Sequence, residues 1–165
     1  LDAGGRKLND SLKKKSQENK LVLRRMNHAH VSDVARIEHR TFQPSWPIVS
    51  FHALIDEGYD CWVVDSGKRI EGYGIVQVQA DIAHILNFCV QKESRSKGLG
   101  RWLLNRMLSI ASRRARFAML EVRKSNYIAI NLYRSSGFEE HSVRPNYYPA
   151  QGGTEDALVL SRPLP

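Results

Sequence analysis

At 165 residues the chain is long enough for one substantial core, and it reads as a single domain over residues 21–165 behind a polar extension, residues 1–20. No apolar run approaches the roughly 20 residues of a membrane-crossing helix, and the polar N-terminus lacks the apolar segment of a secretory signal. The net charge of +8 favours an anionic partner, although composition alone does not separate a nucleic acid, a small polyphosphate and a merely solvated basic face.

Residues 1–20 are rich in Lys, Asn, Ser and Asp, with Lys13, Lys14 and Lys15 at the centre; they bury almost nothing and predict a disordered or loosely helical extension. Any contact with nucleic acid is expected through this tail. Leu21 to Met26 is the first strand, and His30 to Phe42 the first helix, with Val31, Val34 and Ile37 on one side and Ser32 and Asp33 near its start. Pro44 and Pro47 end that helix. The segment Phe42 to Pro47 places Phe42 and Trp46 on a turn, where they either form a binding rim or pin the turn to the core. A second short helix covers about Val49 to Glu57.

Cys61 to Asp65 and Ile70 to Gln79 bracket Ser66-Gly67-Lys68-Arg69 as a hairpin. Cys61 and Cys89 both sit in strand-like apolar runs, which points to buried thiols and a reducing cytoplasm more than to a disulfide framework. His84 to Val90 is a further strand. A long amphipathic helix follows, with Leu99, Leu103, Leu104, Met107, Leu108 and Ala111 on one face. Phe117 to Arg123 is a mostly apolar strand carrying Glu121. Tyr127 to Ser136 is the last helix, capped by Asn126 and closed by Gly137. Phe138 to Val143 and Asp156 to Leu160 close the domain as a strand pair, joined by a long aromatic connection, Arg144 to Gly153. Six scattered histidines offer no metal site.

Between the strand ending at Val90 and the long helix lies a basic loop with two glycines, Arg95-Ser96-Lys97-Gly98-Leu99-Gly100-Arg101. Strand, glycine loop and helix together aim free backbone N–H groups and the positive end of a helix at an anion. From Lys92 to Arg116 the cations Lys92, Arg95, Lys97, Arg101, Arg106, Arg113, Arg114 and Arg116 face Glu93 alone. A P-loop would need Lys-Ser or Lys-Thr at its end, and a dinucleotide fingerprint a third glycine where Leu103 stands, so neither motif fits.

The pattern Arg95-x-x-Gly98-x-Gly100 resembles the acetyl-coenzyme A motif of the GCN5-related N-acetyltransferases. The resemblance covers about Leu21 to Leu160 and includes Leu86-Asn87-Phe88-Cys89-Val90, Leu120-Glu121-Val122-Arg123, Ser125-Asn126, Leu132-Tyr133, Gly137-Phe138 and Asn146-Tyr147-Tyr148-Pro149. It extends to the branch that acetylates an N-terminal alanine of a bacterial ribosomal protein. It implies an α/β (α+β) fold: a mixed, mostly antiparallel central sheet flanked by helices and splayed between its fourth and fifth strands. It further implies acetyl-coenzyme A as donor, held by Phe88, Cys89, Val90, Arg95, Ser96, Lys97, Gly98, Leu99, Gly100, Arg101 and Asn126. Glu121 is the implied general base and Tyr133 the implied general acid, with Trp46, Tyr147 and Tyr148 lining the acceptor and Glu139, Glu140, Glu155 and Asp156 as acids near it. The acceptor is then a protein N-terminus, with a polyamine or aminoglycoside as the alternative amine. Attack through Cys89 is a rival route. A non-catalytic RNA-binding module is the reading outside enzymology.

Overall fold

The computed structural model describes residues 20–165, so all of the basic extension but Lys20 lies outside the described residues. Seven strands form one sheet in the order β1-β2-β3-β4-β5-β7-β6: β1 (Val22–Arg25), β2 (Asp60–Asp65), β3 (Ile70–Gln79), β4 (Ile82–Val90), β5 (Phe117–Arg123), β6 (Glu139–Ala150) and β7 (Gly153–Pro163). Every neighbouring pair is antiparallel except β4 and β5. Four α-helices cover the faces: α1 (Val31–Thr41), α2 (Ile48–Asp56), α3 (Leu99–Ala111) and α4 (Tyr127–Ser135). No helix of the described residues is long and apolar enough to cross a membrane.

Alternation along the strands divides the core in two. Ala83, Ile85, Ala118, Leu120, Val122, Leu158 and Leu160 face one way, onto Leu103, Leu104, Met107 and Leu108 of α3 and Ile130 and Tyr133 of α4. Met107 lies so close over Gly74 of β3 that a Cβ there would overlap its sulfur. Val63, Tyr73, Ile75 and Cys89 face the other way, onto Val34 and Ile37 of α1 and Phe51 of α2.

The parallel pairing of β4 with β5 runs only from Ile82↔Phe117 to Ile85↔Leu120. On its other edge β4 is bulged: Ile75 of β3 opposes Asn87 while Val76 opposes Ile85, which leaves Leu86 as the extra residue. The bulge swings the rest of β4 away from β5, and a wedge opens between Leu86–Val90 and Glu121–Arg123. This is the expected splay.

The C-terminal strands differ from expectation. Arg144 to Gly153 is not a free connection but part of the β6–β7 hairpin, which turns at Gln151-Gly152. The pairing jumps from Arg144↔Ala157 to Tyr148↔Glu155, so Pro145, Asn146 and Tyr147 bulge out of register. β6 is the edge of the sheet and almost wholly exposed, a position where proline's missing N–H breaks no ladder.

Candidate active site

The glycine loop meets the wide end of the wedge. Its first intrahelical bond runs from the Trp102 N–H to the Gly98 carbonyl, so the N–H groups from Ser96 to Arg101 are left without an intrahelical acceptor. Ser96 (φ 61°) and Gly98 (φ 78°) take left-handed conformations to turn the chain into α3. Gly100 serves differently, since a Cβ there would point at Leu132, Phe88 and Val90, into the floor beside the wedge. Lys92, Lys97 and Arg101 are exposed around this rim. These free amides and cations suit a pyrophosphate, and the wedge suits a narrow acyl-bearing arm, so the residues present fit coenzyme A.

Arg95, exposed at the start of the loop, also braces the strand that leads into it. Its Nε donates to the Val90 carbonyl at 3.0 Å and its guanidinium reaches Thr41 Oγ1 at 3.4 Å, while its own N–H is spent on the Lys92 carbonyl. Its side chain ties down the end of β4. Asn126 caps α4 through the Ala129 N–H at 3.2 Å, leaving its amide group for a ligand.

Glu121 is the first residue of β5 beyond the last β4 partner. It points to the face not covered by α3 and α4, and its side chain is only 8 % exposed. His84 Nε2 lies 2.5 Å from one carboxylate oxygen, and Arg144 Nη2 lies 3.4 Å from the other. Burial pushes the Glu121 carboxyl up, but the His84 hydrogen bond and the charges of His84 and Arg144 outweigh it and hold the group below the usual carboxylate range. Arg123, which shares a strand face with Glu121, pairs instead with Glu155 at 3.2 Å and with the Pro149 carbonyl at 2.9 Å.

Tyr133 stands across the sheet, on the cofactor side, 5.8 Å from the Phe138 ring and 6.2 Å from Phe88. Burial, and to a smaller degree Tyr148 and Cys89, push its phenol well above the ordinary value. No described residue hydrogen-bonds its hydroxyl, which suits a partner brought by the ligand. Cys89 makes a poor nucleophile: it is 4 % exposed, and burial raises its thiol despite the Thr41 bond and the Arg95 charge.

In the bulged part of the β6–β7 hairpin, Tyr148 lies under the Arg123 guanidinium at 4.5 Å and edge-on to Tyr147 at 4.9 Å. Burial first, then Tyr147 and Glu121, push the Tyr148 phenol up to about 12. Trp46 is half-buried against Phe51. The nearby acids are largely engaged: Glu155 takes the Ser125 N–H and Arg123, Asp156 takes the Asn146 N–H, and Glu140 lies 3.8 Å from Arg134. Glu139 alone of the four has no side-chain partner among the described residues.

Sequence reasoning missed His84 and Arg144 as partners of Glu121. The signal for His84 was a polar residue inside an apolar strand next to the one carrying Glu121.

Comparison with known families supplies the class. The chain belongs to the acetyltransferase (GNAT) family, whose model matches residues 31–138. It is therefore an acetyltransferase, and the family draws its acetyl group from acetyl-coenzyme A. Among individual proteins it is 35% identical over 130 residues to the ribosomal protein bS18-alanine N-acetyltransferase of Salmonella typhimurium, covering 78% of this chain and 88% of that protein. The Escherichia coli K12 enzyme of the same name is 35% identical over 129 residues. The crystal structure of the ribosomal-protein-S18-alanine N-acetyltransferase from Escherichia coli superimposes with a TM-score of 0.80 at 31% identity, covering 88% of this chain and 94% of that one. Ard1 from Thermoplasma volcanium shares the fold, with a TM-score of 0.77.

The loop geometry carries an expected result. At Gly98 the space a side chain would enter is open but φ is positive, whereas a side chain at Gly100 would stand in the wedge floor. Gly100→Val should weaken acetyl-coenzyme A binding by at least about tenfold with the fold intact, and Gly98→Trp should do the same by crowding the free amides. Calorimetric titration reads both, and unchanged affinity in a folded Gly98→Trp protein would remove this loop from the binding site.

Proposed function

We propose that this enzyme transfers acetyl from acetyl-coenzyme A directly to the α-amino group of a protein N-terminus, and that its acceptor is an alanine-first ribosomal protein. The observation that carries this reading is the position of Glu121, a buried carboxylate at the apex of the wedge, where β4 and β5 part, on the face not covered by α3 and α4. The resemblance to the bS18-alanine enzymes across most of the chain supports the acceptor class.

The roles follow from what each group can do. The amides of Ser96 to Arg101 and the α3 dipole bind and orient the donor's phosphates. The β4 edge from Leu86 to Val90, which lacks a β5 partner, presents backbone groups to the thioester, where an N–H stabilises negative charge on its oxygen. Glu121, held by His84 and Arg144, takes the proton from the acceptor amine, directly or through one water. Tyr133 gives a hydrogen bond and then a proton to the departing sulfur. An α-amine has a reference pKa near 8, against about 10.4 for lysine, so a weakly basic carboxylate suits the former better.

Phe42 to Pro47 with Trp46, and Tyr147 and Tyr148 of the bulged β6, stand on either side of this face and would grip the first residues of an extended peptide. Because Glu155 and Asp156 are engaged and Glu139 and Glu140 lie toward the other end of β6 from Tyr148, the acceptor is recognised by these aromatic surfaces and not by a four-acid cluster. The test compares an alanine-first basic peptide with its N-terminally blocked copy, a lysine side-chain acceptor and spermidine. Acetylation of the free N-terminus alone is expected. Efficient turnover of spermidine or of the blocked peptide, with none of the free N-terminus, would promote the small-amine alternative.

A further inference from the structure

Glu38 sits in the last turns of α1, 1 % exposed, with no cation paired to it among the described residues. Burying a carboxylate costs several kcal/mol unless hydrogen bonds compensate, and an apolar residue would fill this core position at no such cost. What its carboxylate receives is three donors from three segments. The Trp46 N–H donates to Oε1 at 2.9 Å from the α1–α2 connection. The Asn87 amide donates to Oε2 at 2.9 Å from β4, immediately after the bulged Leu86. The Tyr73 hydroxyl donates to the same oxygen from β3.

Two of those segments bear on the reaction. The Trp46 segment is one wall of the acceptor face, and the Asn87 segment is the splayed stretch of β4. We infer that Glu38 is a positioning residue for the acceptor: by clamping the Trp46 backbone to the β4 bulge it fixes the distance between acceptor wall and thioester, and so governs acceptor binding more strongly than cofactor binding. That the Trp46 segment is an acceptor wall rests on the function proposed above. The cofactor loop is held by a different side chain, Arg95, which bonds the Val90 carbonyl and Thr41 at the end of α1.

The geometry explains why glutamate is needed. Glutamine would put an amide N–H₂ at one of the two oxygen sites: at the first it faces the Trp46 N–H, a donor that cannot turn, and at the second it faces the Asn87 amide and the Tyr73 hydroxyl, both of which must reorient to accept from it. In Glu38→Gln we expect the Trp46 amide to exchange hydrogen about tenfold faster and KM for the acceptor to rise about tenfold or more. Acetyl-coenzyme A affinity, by calorimetry, should stay within about twofold. The double variant Glu38→Gln with Asn87→Asp restores one donor to one acceptor at that contact and should recover most of both effects. Glu38→Asp, which keeps the charge but withdraws it by one methylene, should show the same split more mildly and serves if the glutamine variant does not fold.

The measurement uses whichever acceptor the wild-type enzyme accepts from the panel above. If that is spermidine, the N-terminal reading falls while the Glu38 comparison is still decided. An unchanged Trp46 exchange rate with an unchanged acceptor KM would overturn the inference, as would a cofactor affinity that falls as far as the acceptor's.

Discussion

Glu121→Gln is expected to lower kcat by about 10²–10⁴-fold, the range for loss of a positioned acid or base, with acetyl-coenzyme A affinity unchanged. The carboxyl is held below its usual range by His84 and Arg144, which makes it a poor match for a free ammonium of pKa near 8. In the proposed mechanism the neutral fraction of the amine, having lost its first proton to solvent, bonds to the carbonyl carbon, and Glu121 then takes one of the two protons on that nitrogen, which bonding has made far more acidic. Glutamine cannot accept that proton, yet fills the same volume between His84 and Arg144, so the fold should survive. A depressed native pKa also adds stability above the unfolded carboxylate value, lost as pH falls through the native one. Wild type should therefore lose its stability advantage over Glu121→Gln as denaturation is measured from neutral pH down through and below pH 4. A Glu121→Gln enzyme with near-normal kcat, alongside an inactive Cys89→Ala, would mean that the acetyl group passes through the cysteine instead.

The parts of this architecture visible in the sequence were those set by local patterning. β5 runs from Phe117 to Arg123 as alternation predicts, and α3 buries the expected stripe from Leu99 to Ala111. The Asn126 cap was legible because capping is a property of four consecutive residues. What stayed hidden depended on register between distant strands. Arg123 shares a strand face with Glu121, as residues two apart do. Across β7, however, Arg123 opposes Ala157, which brings Glu155 within its reach. His84 opposes Met119 across the parallel pair, one same-face step from Glu121. Arg144 to Gly153 read as a connection, and Pro145, Pro149 and Asn146 are residues that suit one. An edge strand with a three-residue bulge tolerates all three, Asn146 by taking a positive φ of 53°. Glu38 gave no local sign of its role either, since its three donors come from Trp46, Tyr73 and Asn87, up to 49 residues away.

Tyr133→Phe should lower kcat by about 10²–10³-fold, the lower part of the acid–base range, and leave the fold and cofactor affinity nearly unchanged. Phenylalanine keeps the ring contacts with Phe88 and Phe138, so the substitution removes only the hydroxyl. Burial raises this phenol well above its ordinary value, and a thiol titrates near 8.5, so full proton transfer to sulfur is uphill on its own. In the proposed mechanism the hydroxyl therefore works first as a hydrogen-bond donor to charge building on the sulfur in a site with little water, where such a contact is worth more than in solution. The proton follows as the acceptor nitrogen gives up its own to Glu121. This ordering makes the rate sensitive to phenol acidity. A fluorinated tyrosine at 133, a stronger acid of nearly the same size, should retain or exceed wild-type kcat, whereas phenylalanine should not. Full activity in Tyr133→Phe would leave the sulfur to be protonated by water and strike the tyrosine from the mechanism. Loss of cofactor binding in step with kcat would make it a packing residue only.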